Sequence, residues 1–265
     1  MPALSFLHRV IILIALFIFV LGGVLNIDPV PQDPDYHHFA DMRSWWGLSN
    51  FGDVVSNFGF AIVGVLGLST LMKAKGRQVF DEELDSRPYF VFFSGIVLVS
   101  LGSAYYHLSP DNNSLLWDRL PMTLAFMSLF AAVISDRIDQ PTGVRFLLPL
   151  FVMAGAMSLL YWGWTESTGM GDLRFYGLVQ FFPILALPVI CWLFPKSKYT
   201  GERYLVWIVF WYGVAKALEY FDSQVYVLLG ETISGHSLKH VAAAAAAYTV
   251  LKMIMNAKSD RVNKV

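Results

Sequence analysis

The chain has 265 residues, of which 56% are hydrophobic and 15% are charged, and its formal net charge is −1. Soluble domains carry about a quarter charged residues, so this composition excludes an ordinary soluble domain. The near-neutral charge argues against binding to nucleic acid and against docking on a membrane through basic residues. The apolar residues form long blocks, which is typical of helices that span a membrane.

The first apolar block, residues 5–26, predicts a transmembrane helix within an N-terminal segment, residues 1–27. A bilayer needs about 20 helical residues, whereas the apolar part of a signal peptide has roughly 7–15. A cleaved signal peptide is the alternative, and it would leave the topology of the remaining chain unchanged. A polar loop rich in Pro and Asp follows over residues 28–52, where we expect His37 and His38 to be exposed loop histidines.

Seven further apolar blocks predict a seven-helix core over residues 53–256, followed by a short basic tail, residues 257–265. The predicted spans are 54–72, 88–107, 118–135, 145–163, 173–194, 204–221 and 236–256. The expected fold is therefore all-α, a polytopic membrane helix bundle with a seven-helix core plus one extra N-terminal transmembrane helix. The alanine run at 242–247 gives the last span a narrow face that favours close packing.

The distribution of Lys and Arg predicts the orientation, because cytoplasmic loops carry an excess of both. With eight spans, one side of the membrane receives most of these residues. The other side receives Arg43 and Arg174, with Arg119 near a helix start. We therefore expect both termini in the cytoplasm.

Two short polar stretches, here called polar islands, interrupt the apolar blocks: residues 102–122 and residues 235–240. Both lie at the same predicted depth, in the outer half of the bilayer. Ser103 and His107 lie four residues apart, as do His236 and His240, so each pair shares a helix face. Asp118 lies near the start of the next apolar block. Three imidazoles and a water are the usual catalytic zinc arrangement. A neighbouring carboxylate can carry the proton and a hydroxyl can stabilise the oxyanion, so we interpret the cluster as a hydrolytic zinc site.

Four further polar residues fall at this depth and are candidates for supporting the zinc ligands rather than binding the metal: Asp53, Asn57, Glu219 and Asp222.

Each of these residues, taken alone, has another interpretation. Alone, His107 suits a membrane interface, Asp118 a helix N-terminus and Ser103 a bond to its own backbone. A Ser-His-Asp triad is a catalytic alternative, but Ser103 lacks a G-x-S-x-G elbow. The triad also leaves His236 and His240 unexplained.

The pattern Ser103-x-x-x-His107, Asp118 eleven residues further on, and His236-x-x-x-His240 resembles the alkaline ceramidase family. The surrounding GSAYYH and WDRLPM are similar to that family's form of the motif. More broadly, residues 50–256 resemble the superfamily of seven-span membrane hydrolases that includes the progestin and adipoQ receptors.

The resemblance implies a seven-helix bundle in which His107, His236 and His240 hold zinc. It implies that Ser103 and Asp118 act on a zinc-bound water, and that the ceramide amide is hydrolysed to a sphingoid base and a fatty acid. The extra N-terminal span is not part of that family's core.

Eukaryotic ceramidases also carry an acidic calcium site just before the first core helix. The corresponding region here contains Asp35, Asp41, Asn50 and Asp53 without a clear match. Zinc is therefore the expected cofactor, and calcium is less strongly indicated.

We expect an integral-membrane, zinc-dependent amidohydrolase that acts on ceramide or a related lipid amide within the bilayer. Two alternatives stay open. One is a membrane receptor or lipid-binding protein with structural zinc, and the other is a hydrolase that remodels lipid esters.

Overall fold

The computed structural model describes residues 4–73 and 79–262, the last five of them through the backbone only. Within these ranges the regular elements are helices, which confirms the predicted all-α fold. The helices are α1 (Phe6–Asn26), α2 (Phe51–Ser56), α3 (Phe58–Met72), α4 (Glu83–Leu108), α5 (Asn112–Arg137), α6 (Leu148–Ser167), α7 (Arg174–Leu193), α8 (Glu202–Tyr220), α9 (Asp222–Leu228) and α10 (Gly235–Val262). A 3₁₀ turn forms at Pro34–His37, and a π-helical turn at Thr142–Leu147 leads into α6.

Seven helical segments of the described chain are long and apolar enough to cross a membrane. They are Phe6–Asn26, Phe51–Met72, Glu83–Leu108, Asn112–Arg137, Thr142–Ser167, Arg174–Leu193 and Gly235–Ala257. Large apolar side chains such as Phe19 and Trp192 are exposed on the outside of the bundle, as expected for a surface in contact with lipid. The chain is a multi-pass membrane protein.

The remaining predicted span, 204–221, corresponds to α8 and is helical, but it is not among these seven segments. Its Lys216 and Glu219 form an ion pair at 2.6 Å. Charged groups within a bundle are costly unless they pair inside it, and this pair meets that requirement.

Several helix boundaries in the structure differ from the predicted ones. The span predicted at 54–72 is divided into α2 and α3 at Asn57. The last helix continues to Val262, so the predicted tail at 257–265 begins inside α10, and residues 263–265 lie outside the described residues. The helix α7 continues through both of its prolines.

Helices α4 and α5 form the tightest hairpin of the bundle, and they position the first polar island. Asp111 begins α5 with a capping box, in which its carboxylate accepts the backbone N–H of Ser114 at 2.6 Å. A side chain at Gly102 would overlap the carbonyl of Trp117, so only glycine allows the two helices to approach this closely. The residue after Gly102 is Ser103, and the residue after Trp117 is Asp118.

Helix α10 packs against α3 and α8 and positions the second polar island. Ala242, Ala244 and Ala247 are buried in these contacts, which confirms the predicted close packing of the alanine face. Ser234 precedes the helix, and its hydroxyl accepts the backbone N–H of Ser237 at 2.9 Å. The start of α10, capped in this way, lies next to the end of α4.

Helix α1 lies on the outside of the bundle against α7, and none of its residues is buried. The guanidinium of Arg9 donates to the carbonyl of Leu193 at 2.9 Å. The rings of Phe17 and Phe182 meet edge to face, with their centroids 5.2 Å apart. The predicted extra helix therefore packs onto the core mainly through α7.

Candidate metal and catalytic site

Three buried histidines converge where α4 ends and α10 begins. His107 lies in the last turn of α4, and His236 and His240 lie in the first turns of α10. One ligand atom from each ring lies within 4.8 Å of the others. The ring centroids are 4.8 to 5.2 Å apart. The expected meeting of the two polar islands is confirmed.

The ring nitrogens of this cluster are poorly satisfied by the protein itself. Both nitrogens of His107 and Nε2 of His236 are buried without a hydrogen-bond partner. Nδ1 of His240 is bonded to the hydroxyl of Ser56 at 2.7 Å, which leaves its Nε2 for another partner. Buried polar atoms are normally bonded, so these unpaired nitrogens fit a metal ion held by three imidazoles.

Ser103 and Asp118 lie beside the histidines, on the wall of one cavity that His240 also lines. Both residues are buried, and the Ser103 side chain lies close to the Asp118 carboxylate. Lys239 and Arg119 are close enough to attract the carboxylate electrostatically. A hydroxyl and a carboxylate therefore face the space next to the histidines.

Asp53 holds α2 against the start of α10, and Asn57 bonds the backbone of Asp53 at the end of α2. The Asp53 carboxylate accepts hydrogen bonds from the hydroxyls of Ser237 at 2.6 Å and Ser234 at 3.2 Å. The Asn57 amide donates to the carbonyl of Asp53 at 2.7 Å. These contacts fix the chain on both sides of His236.

Asp222 and Glu219 have different partners. The Asp222 carboxylate accepts the backbone N–H groups of His236 at 2.7 Å and Ala40 at 2.9 Å. Glu219 instead forms ion pairs with Lys216 and Lys239. Asp222 thus positions a histidine of the cluster, whereas Glu219 positions two lysines.

The polar loop after α1 covers the cluster from above. Phe39 is buried, and its ring centroid lies 4.7 Å from that of His107 and 4.5 Å from that of His236. The prediction that His37 is an exposed loop residue is wrong, because its ring is half-buried and bonded to Tyr106 at 2.9 Å. The same prediction is confirmed for His38, whose side chain is 73% exposed.

The four residues considered for calcium have separate partners. The guanidinium of Arg43 binds both carboxylate oxygens of Asp41 at 2.7 Å, and this contact lowers the pKa of Asp41. The Asn50 amide donates to the carbonyl of His107 at 2.8 Å. Asp35 is exposed, and Asp53 bonds the serines before and within α10.

A cavity of about 660 Å³ extends from the polar residues into the bundle. Its deeper wall is apolar and includes Phe92, Phe126 and Val250. Val20 and Val24 of α1 also line it. A concave apolar pocket with a few polar groups at one end suits a lipid whose reacting bond lies near those groups.

Several residues of the site were not identified from the sequence. The sequence could have indicated Arg119 and Lys239, because ionisable residues within membrane spans are usually functional. Ser56 was visible as a polar residue at the depth of the site, whereas Phe39 was not, because a phenylalanine is unremarkable in a loop.

These features define a polytopic membrane protein with a buried three-histidine site of the kind that holds a metal, open to a cavity of lipid size. The Ceramidase family model matches residues 48–264, which is most of the chain, and the chain therefore belongs to the ceramidase family. The match begins just before α2 and does not include α1. The comparison with curated proteins finds no significant match. Family membership supports an amide-hydrolysing membrane enzyme that acts on ceramide.

Proposed function

We propose that the protein is an integral-membrane, zinc-dependent hydrolase that cleaves the amide bond of ceramide or a related lipid amide. The observation that carries the proposal is the convergence of three buried histidines beside Ser103 and Asp118, at the polar end of an otherwise apolar cavity.

His107, His236 and His240 would hold the zinc ion, because neutral imidazoles are good zinc ligands and these three have unpaired ring nitrogens. A bound zinc supplies a Lewis acid that polarises a carbonyl and acidifies a water. Asp222 and Ser56 orient two of the three histidines through the backbone N–H of His236 and the ring of His240.

Asp118 would act as the proton carrier. Its carboxylate takes a proton from the attacking water as the carbon–oxygen bond forms, and passes a proton to the amine as the carbon–nitrogen bond breaks. The Ser103 hydroxyl lies beside this carboxylate and can donate its proton to the negative charge that develops on the carbonyl oxygen. The products are a fatty acid and a free amine.

The cavity would position the substrate. Phe92, Phe126 and Val250 offer an apolar surface for an acyl chain, and exclusion of water strengthens the polar contacts at its other end. Phe39 closes the site on the opposite side. The Lys and Arg distribution supports an active site toward the extracytoplasmic side and both termini in the cytoplasm. We also propose a division of the chain into an N-terminal membrane helix, a polar loop and a hydrolase core, residues 53–256.

The test combines metal analysis of the purified protein with product detection by mass spectrometry. The substrates are ceramides and other lipid amides, each with an ester of the same acyl chain. We expect stoichiometric zinc and release of fatty acid from the amides. His107→Ala and His240→Ala should abolish both, whereas His38→Ala, which removes an exposed histidine, should change neither.

Three results would contradict the proposal. A folded, metal-loaded protein that releases no product is not a hydrolase of these lipids. Faster turnover of esters than of amides indicates lipid-ester remodelling. Unfolding on metal removal, together with no turnover, indicates a receptor or binding protein with structural zinc.

A further inference from the structure

Arg119 occupies an unusual place in the cavity. It follows Asp118 on α5, it is 7% exposed, and it lines the cavity wall. Its guanidinium carbon lies 5.1 to 5.2 Å from the ring centroids of Tyr36, Trp162 and Tyr176. A permanent positive charge is thereby held within a membrane bundle, among three aromatic rings.

The surrounding side chains stabilise the charge but leave a donor unused. Aromatic faces attract a cation, yet they do not accept the N–H groups of a guanidinium as an oxygen does. Nη1 of Arg119 is buried without a hydrogen-bond partner. Within the described residues, the ion pairs within 4.0 Å do not include Arg119. A buried donor without a partner is costly unless a ligand supplies the acceptor.

The charge balance at this end of the cavity points to an acidic ligand. Lys216 and Lys239 also line the cavity, and both bind the one carboxylate of Glu219, at 2.6 and 2.7 Å. One carboxylate therefore balances two ammonium groups. Tyr36 links the two parts of the wall, because its ring faces Arg119 and its hydroxyl donates to Glu219 at 3.1 Å. With Arg119, three cationic side chains face the two carboxylates of Glu219 and Asp118, so one positive charge is left for an acidic head group to balance.

We infer that Arg119, together with Lys216 and Lys239 of the same cavity, forms a subsite for a carboxylate carried by the lipid. The guanidinium fork matches the two oxygens of a carboxylate, which a point-charge lysine does not. This inference rests on the proposed function, which offers two alternative sources of the carboxylate. It belongs to the acidic head group of a lipid amide, such as an N-acyl amino acid, or to the fatty acid that hydrolysis releases.

The test measures equilibrium binding to the purified, detergent-solubilised protein and requires no turnover. One ligand pair is N-dodecanoylglycine and its methyl ester, and the other is dodecanoate and its methyl ester, both at a pH where the acids are ionised. We expect the wild type to bind the acids more tightly than the esters. In Arg119→Gln this preference should fall about tenfold or more, the value of a charge-assisted hydrogen bond. The pair with the larger fall identifies the source of the carboxylate.

Arg145→Gln is the matched control, because Arg145 is exposed beyond the opposite end of α5 and its loss removes the same charge. It should leave the preference for acids unchanged. The inference is overturned if the wild type does not distinguish acids from esters, or if Arg119→Gln weakens both equally, as a packing role would. Where Arg119→Gln does not fold, Arg119→Lys keeps the charge but loses the fork, and equal weakening of acid and ester again overturns the inference.

The outcome is separable from that of the proposed function. If the protein binds acids through Arg119 but hydrolyses no amide, the subsite is supported and the proposed function is contradicted. If the protein hydrolyses ceramide but shows no Arg119-dependent preference for acids, the proposed function is supported and the subsite is contradicted.

Discussion

The hydroxyl of Ser56 lies 2.7 Å from Nδ1 of His240 and donates to the carbonyl of Asp53 at 3.0 Å. When Nδ1 carries the ring proton and donates it to the Ser56 oxygen, the hydroxyl proton is free for the Asp53 carbonyl, and Nε2 presents a lone pair to the cluster. The break between α2 and α3 places Ser56 where it can hold the ring in this orientation.

Replacing Ser56 by alanine should weaken metal binding by about 10- to 100-fold, the usual effect of losing a partner that orients a ligand. Titration of the purified protein against a competing chelator measures the change. Ser86→Ala is the control, since Ser86 bonds only its own helix at the exposed start of α4. Equal metal affinity in both variants would show that the Ser56 contact does not orient His240.

Asp118→Asn should lower kcat for lipid-amide hydrolysis by about 10²- to 10⁴-fold, the contribution of a positioned proton carrier. The carboxamide keeps the shape of the side chain but cannot carry the proton. Metal content and the thermal unfolding midpoint should stay close to those of the wild type. Asp35→Asn, at an exposed carboxylate, should keep full activity. Loss of metal in parallel with activity would indicate that Asp118 is a ligand or a structural residue instead.

The bundle itself was predictable, because each span is a long apolar block and the lipid environment requires its backbone to be helical. The division at Asn57 was not, since α2 and α3 together read as one apolar block. The polarity of α8 was visible in the sequence as Lys216 and Glu219. Glu219 also pairs with Lys239 of α10, and this contact could not be predicted because it depends on how α10 packs.

The histidine cluster was predictable for a related reason. Spacing of four residues places His236 and His240 on one face, and the alternation of spans places them at the same depth as His107. The half-buried position of His37 was not predictable, because it depends on Tyr106 and on how the loop folds over the bundle. Local sequence reports the face and depth of a residue, whereas contacts between distant segments require the folded chain.

Calcium should not affect this protein. Arg43 already binds both oxygens of Asp41 and also donates to the carbonyl of Thr232 at 2.7 Å. Calcium takes about 6–8 oxygen ligands, and Asp41 is committed to the guanidinium. We expect neither added calcium nor a calcium-selective chelator to change the thermal unfolding midpoint or the rate of lipid-amide hydrolysis. A rise of the midpoint with calcium would show that an ion competes with Arg43 for this loop.

Arg43→Ala should lower the unfolding midpoint, because it leaves the buried carboxylate of Asp41 without its partner. Unpaired buried groups of this kind cost about 1–3 kcal/mol. Arg87→Ala, at an exposed arginine before the apolar part of α4, is the control and should have little effect. Equal midpoints would mean that the ion pair contributes nothing measurable.

Gly102→Ala should separate α4 from α5, since the added methyl group would overlap the Trp117 carbonyl. Overpacking of this kind costs about 1–3 kcal/mol of stability, so the unfolding midpoint in detergent should fall. Activity should fall further than stability, because the neighbouring contact between Ser103 and Asp118 depends on the same close approach. Gly213→Ala is the control, at a glycine of α8 with no heavy atom near its missing Cβ. There the better helix propensity of alanine should leave stability unchanged or raise it by up to about 1 kcal/mol. If the two variants unfold at the same midpoint, α4 and α5 are not packed as closely as Gly102 requires.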